Sequence, residues 1–215
     1  METILAENEE KIRQAIQTQR PLSIKTYTFP RDSENYFVSI LDMYLSHLDL
    51  DHLVDKLSYC LRELITNAIK ANTKRAYFSI IGLDIDNTEH YAQGMTYFRE
   101  RAYSNIDKFI IKQKQMGFYV KLRLQIRNNE LNIAVINNAE INKQELDRIN
   151  DRILHAKQYN TAHEVMENLI DFTEGAGLGI IMTVLMLKEI GMDADSFLLT
   201  ARNGETSIEL TIPLQ

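Results

Sequence analysis

Glu63, Asn67 and Lys70 recur at intervals of four and three along LRELITNAIKAN, residues 61–72. On a helix that spacing sets them along one face, where their side chains converge. A carboxylate and a carboxamide are hard oxygen donors suited to Mg²⁺, and an ammonium answers phosphate charge. Together they suit a metal–phosphate ligand. The plainer account is the solvated side of an amphipathic helix. A second stretch, EGAGLG at 174–179, brings the bare backbone of Gly175, Gly177 and Gly179 to the start of an apolar helix. Free N–H groups and the positive dipole end there can hold phosphate oxygens. The stretch lacks the lysine of a Walker loop, and no Rossmann-type strand precedes it.

The elements that must position these residues follow from periodicity. Leu61, Leu64, Ile65, Ala68 and Ile69 form the apolar stripe of a central helix that starts at Asp49 or Asp51 and runs to about Thr73. Before it come a polar helix over 2–19, a strand LSIKTYTF (22–29) ended by Pro30, and a helix over 34–47 capped by Ser33. After it, RAYFSIIG (75–82) reads as a second strand. Apolar residues at helical spacing from 89 to 116 make a helical insertion, with Gly94 a weak point and Gly117 an end. YVKLRLQIR (119–127), Asn128-Asn129 and residues 131–136 make a hairpin, and Asn203-Gly204 joins another over 196–212. Between the hairpins lie a basic polar segment and the apolar helix 180–190. The expected organisation is an N-terminal helix, 1–20, that docks on the body or pairs with a second copy as a homodimer. One α/β (α+β) domain, 21–215, follows: a two-layer sandwich with a mixed, mostly antiparallel sheet and helices on one face. It carries an insertion at 84–118 and a lid-like segment at 142–174.

The 215 residues suffice for one sizeable core. A net charge of −6 argues against nucleic-acid or broad anionic-membrane partners. The single cysteine, Cys60, lies beside the apolar stripe with no histidine placed to activate it, which fits a buried thiol in a reducing compartment. The first residues lack the apolar core of a secretory signal, and the longest apolar run, 180–187, is far short of the roughly 20 residues a membrane span needs. A cytoplasmic protein without a membrane span is expected. Neither His47 nor His52 sits in a phospho-acceptor setting, and His155 and His163 lack a metal-site pattern.

The order of these stretches resembles the Bergerat-fold (GHKL) ATPases, the superfamily of gyrase, heat-shock chaperone, histidine kinase and mismatch-repair ATPases. LRELITNAIKAN looks like its N box, VINNAE (135–140) its first glycine box and GAGLG its second, and the likeness covers about 22–214. The resemblance implies ATP and Mg²⁺ as cofactors, with Asn67 on the metal and Glu63 as general base. It also implies Lys70 against phosphate charge, Asn137 at the adenine end, and the backbone of Gly175, Gly177, Leu178 and Gly179 around the phosphates. Asn137 stands where the family usually has Asp, and Ala139 where it has Gly. Because a carboxamide both donates and accepts, relaxed base selectivity or weak affinity is expected; the plainer account of Asn137-Asn138 is a turn. The segment 142–174 takes the position of the family's mobile lid, so Arg148, Arg152, His155 and Lys157 would close on phosphates; the alternative is a solvated helix face. The start of the domain resembles the stand-alone anti-sigma-factor serine kinases. That implies an ATP-dependent protein kinase in signal transduction, acting on a regulatory protein partner. The rivals are a nucleotide-dependent binding module without turnover and a pseudo-kinase. The insertion would offer a partner surface or cap the sheet.

Overall fold

The computed structural model describes residues 2–27, 31–104, 106–161, 164–165 and 178–214. Strand β1 spans Leu22–Thr26, β2 Val120–Arg127, β3 Glu130–Asn137, β4 Phe197–Arg202 and β5 Glu205–Pro213. In β2 every second residue, from Val120 to Ile126, is buried, so one face of the sheet turns inward. Asn128 and Asn129 close the β2–β3 hairpin at φ 54° and 62°, and Asn203 and Gly204 close β4–β5 at 55° and 75°. Both pairs have the left-handed backbone that a tight two-residue hairpin demands.

The strands form one five-stranded sheet in the order β1-β2-β3-β5-β4, and all four neighbouring pairs run antiparallel. The mixed sheet expected from sequence is therefore corrected to a wholly antiparallel one. Two pairs are tight hairpins, antiparallel by construction. The others join through connections whose direction no local pattern encodes.

Helices α1 (Glu2–Gln17), α2 (Arg31–His47), α3 (Val54–Ile81), α6 (Lys143–Gln158) and α7 (Leu178–Glu189) contribute with the inward sheet face to one main core. Ile12 and Ile16 of α1 are buried in it, so the N-terminal helix docks on this chain's own body. Helix α7 is apolar around most of its girth and packs against both α3 and α6.

A strand over 75–82 is contradicted. Helix α3 begins after a 3₁₀ turn, Asp51–Leu53, and continues to Ile81, where Gly82 at φ 69° caps it by donating to the Phe78 carbonyl. Aromatic and β-branched residues favour strands only weakly, and tertiary burial overrides that preference. Asn72 and Ala76 prolong the buried ladder of Leu61, Leu64 and Ala68. Tyr77 and Phe78 then enter a second core with Tyr91 of α4 (Thr88–Ser104) and Phe109 of α5 (Ile106–Gln115). The expected insertion is helical, but Gly94 is not a weak point. It lies inside α4, and its missing side chain admits the Phe78 ring, which a Cβ would overlap. Among the described residues no helix is long and apolar enough to cross a membrane.

Candidate functional site

Helix α3 carries Glu63, Asn67 and Lys70 in line, as its periodicity requires. The Glu63 carboxylate lies against the Cα of Gly179 in the first turn of α7, where any Cβ would overlap it. Glycine at 179 is what lets the carboxylate approach this closely. One turn further along α3, Asn67 and Lys70 line a cavity of about 510 Å³ between α3, β3, β5 and α6. Its walls include the apolar Leu64, Ala68, Val135, Ile180 and Ile208, with Asn137, Arg148 and Arg152 among its polar groups. An apolar-walled cleft of this size with a few convergent polar groups suits a small organic ligand. Leu178 and Gly179 open α7, and the first-turn N–H groups of a helix have no partner within it. Gly175 and Gly177 lie outside the described residues.

Asn137 is the last residue of β3 and is buried. Its Nδ2 donates to Asn72 Oδ1 at 3.2 Å and to the Ala139 carbonyl at 3.5 Å. Asn138 differs. It accepts from the Tyr119 N–H at 2.7 Å and donates to the Gly117 carbonyl at 2.9 Å, so both its ends latch the start of β2 to the end of β3. The pair is therefore not simply a turn: Asn138 is structural, and Asn137 borders the cavity.

Sequence reasoning missed an ionic cluster at the cavity wall. Lys74 Nζ lies 2.5 Å from Glu145 Oε1, and Arg75 forks onto both oxygens of the same carboxylate. Arg75 also donates to the Glu140 carbonyl. Burial opposes ionisation of Glu145, but the Arg75 hydrogen bond and the charges of Lys74 and Arg75 outweigh it and hold the carboxyl at about 2. Glu145 additionally closes a capping box with Asn142 at the start of α6. The Asn-Lys-Gln-Glu run at 142–145 carried that signal. Its partners are not legible from sequence, because a strand over 75–82 would not carry Lys74 and Arg75 on from α3 as the helix does.

Tyr91 was also missed as a site residue. It stacks on Phe78 with ring centroids 5.9 Å apart, and its hydroxyl is 3.5 Å from Lys74 Nζ and 3.3 Å from Arg148 Nη1. The insertion therefore reaches the cavity wall as well as packing on α3.

Of the lid-like segment 142–174, Lys143–Gln158 is helix α6, pinned at both ends. Glu145 holds its start, and Lys188 Nζ donates to the carbonyls of Ala156, Lys157 and Tyr159 at its end. Arg148 and Arg152 line the cavity; His155 and Lys157 do not. Residues 162–163 and 166–177, with His163, lie outside the description.

Cys60 is fully buried, its thiol 3.9 Å from the Thr183 carbonyl, and burial pushes it up to about 12. Such a thiol is no nucleophile. Among the described residues, no group of three or more His, Cys, Asp or Glu side chains is placed to hold a metal.

By architecture the chain is an α+β protein whose helix-covered antiparallel sheet borders a ligand-sized cavity. No protein-family profile matches it. It is 39% identical over 212 residues to an "uncharacterized protein" of Treponema pallidum (strain Nichols), covering 99% of this chain and 41% of that protein. The chain thus spans less than half the length of the curated relative it matches.

Proposed function

We propose that the cavity binds ATP with Mg²⁺, and that the protein is a histidine-kinase-like ATPase of the Bergerat (GHKL) type. In this reading it acts as a cytoplasmic protein kinase on a regulatory protein partner. One observation carries the reading: Glu63 meets Gly179 beside a cavity lined by Asn67, Lys70 and Asn137. The donor set fits the ligand. Apolar walls suit a base, while Lys70, Arg148 and Arg152 suit a polyphosphate. Asn67 offers one hard oxygen, enough for an ion that keeps several waters and takes other ligands from phosphate. When bound, Mg²⁺ supplies charge neutralisation at the phosphates. Glu63 takes the proton from the attacking hydroxyl, a partner's serine or water, as that oxygen bonds to the γ-phosphorus, the bond from the γ-phosphorus to the β–γ bridging oxygen breaks and ADP leaves.

The experiment is calorimetric titration with ATP and Mg²⁺, followed by phosphoryl-transfer assays on wild type and Glu63→Gln. The expected result is unchanged binding with turnover lower by about 100-fold or more. Intact binding with equal, negligible turnover in both proteins would favour the module without turnover. Absence of ATP binding would remove the nucleotide reading and leave the pseudo-kinase.

A further inference from the structure

The insertion contributes a side chain to the cavity, and its placement is fixed from several directions. Asn87 caps helix α4: its Oδ1 accepts from the N–H groups of Glu89 and His90 at 3.0 and 3.1 Å. The first bond along the helix, 2.8 Å from the Tyr91 N–H to the Asn87 carbonyl, sets Tyr91 one turn in. This end of the insertion is tied to the start of α6. Asn142 Nδ2 donates to the Ile85 carbonyl at 3.1 Å, Gln144 Nε2 to Thr88 Oγ1 at 3.0 Å, and Arg148 Nη1 to the Tyr91 hydroxyl at 3.3 Å. On another side the Tyr91 ring stacks on Phe78 of α3. Tyr91 is only 3% exposed, and it lines the cavity.

A phenol hydroxyl has one proton to give and two lone pairs to receive. Arg148 Nη1 and Lys74 Nζ, 3.3 and 3.5 Å away, are cations that can only donate, so both address the lone pairs. Turning the hydroxyl proton toward either would set donor against donor. Among the described residues no acceptor takes that proton. The two cations differ in what they have left to offer. Lys74 and Arg75 are matched by the Glu145 carboxylate. Arg148, among the described residues, has the hydroxyl and the face of Tyr91, its guanidinium carbon 5.4 Å from the ring centroid. A free hydroxyl proton beside an unmatched guanidinium is a donor set for an anionic oxygen.

We propose that Tyr91 is a ligand-binding residue: its hydroxyl donates to a phosphate oxygen of the bound nucleotide, beside the oxygen that Arg148 engages. The insertion is then part of the binding site rather than only a cap on α3. The proposal rests on the nucleotide-binding reading above and adds a residue that none of the boxes matched by the sequence supplies.

The test titrates ATP and adenosine with Mg²⁺ into wild type and Tyr91→Phe, ATP by calorimetry and adenosine by NMR shift changes, which register weak binding. Tyr91→Phe keeps the ring, and with it the stack on Phe78 and the face presented to Arg148. ATP should bind about tenfold more weakly to the variant, as for a lost hydrogen bond to a charged group, and adenosine within about twofold of wild type. Equal weakening of both assigns the hydroxyl to packing or to the nucleoside and overturns the proposal. Unchanged ATP affinity also overturns it, while sparing the nucleotide reading. Absence of ATP binding by wild type overturns both. If adenosine registers with neither protein, melting of the unliganded proteins takes its place. Weaker ATP binding at an unchanged midpoint supports the phosphate contact, and a midpoint lowered together with ATP affinity overturns it.

Discussion

The Glu63 carboxylate of α3 and the Cα of Gly179 in α7 touch so closely that no side chain larger than hydrogen fits between them. The contact joins the segment offering side-chain oxygens to the segment offering helix N–H groups. It is the joint on which the proposed chemistry turns, and it can be altered from either side.

Gly179→Ala should separate stability from activity. The obstructing atoms are the end of a flexible side chain, so the new methyl is accommodated when Glu63 swings aside. Alanine also gains up to about 1 kcal/mol of helix propensity, so the net change in urea-melt stability should stay within about 1 kcal/mol. Turnover should fall to the level of Glu63→Gln, and the double variant should be no worse than either single one. Full turnover in Gly179→Ala would show that the position of Glu63 is unrelated to the chemistry.

Glu145 predicts a specific acid sensitivity. Its carboxyl is held at about 2 against an ordinary 4.5, so its contribution is complete above about 4.5 and is lost as the pH falls toward 2. The linkage is worth about 3 kcal/mol. Urea melts should place Glu145→Gln about 3 kcal/mol below wild type at pH 7, with the gap closing near pH 2. A gap that does not change with pH would mean that Glu145 acts only as a cap on α6.

Gly94→Ala tests the second core. The added methyl would meet the Phe78 ring, which is wedged between Tyr77 and Tyr91 and cannot easily move. A loss of about 1–3 kcal/mol is expected from overpacking, read as a lower thermal midpoint. A neutral result would indicate that α4 shifts freely on α3.

Cys60 should serve as a reporter of unfolding. Burial raises its thiol to about 12 and leaves it no exposure. Its reaction with a maleimide at pH 8 should wait for opening of the α3–α7 interface and quicken steeply in sub-denaturing urea. Prompt labelling of the native protein would contradict the packing of α7 on α3.

The hairpins were legible in the sequence because their signals are local. Alternation in β2 and the Asn128-Asn129 and Asn203-Gly204 turns lie within a few residues of the backbone they shape. The sandwich of a helix layer on a sheet was legible for the same reason. The course of α3 beyond Thr73 was not. RAYFSII suits a strand by composition, and only the aromatic partners supplied by α4 and α5 make it helix. The cluster of Lys74, Arg75 and Glu145 was lost with it, since a strand would have turned those side chains elsewhere.

The sequence by itself determined that Glu63, Asn67 and Lys70 share a helix face and that glycines precede an apolar helix, because short-range periodicity and turn chemistry suffice for both. Tertiary structure alone decided that Gly179 abuts Glu63 and that the nitrogen of Asn137 is engaged by Asn72. Those facts depend on distances between segments remote in the chain. Packing and hydrogen-bond direction set such distances, and a linear order of residues does not carry them.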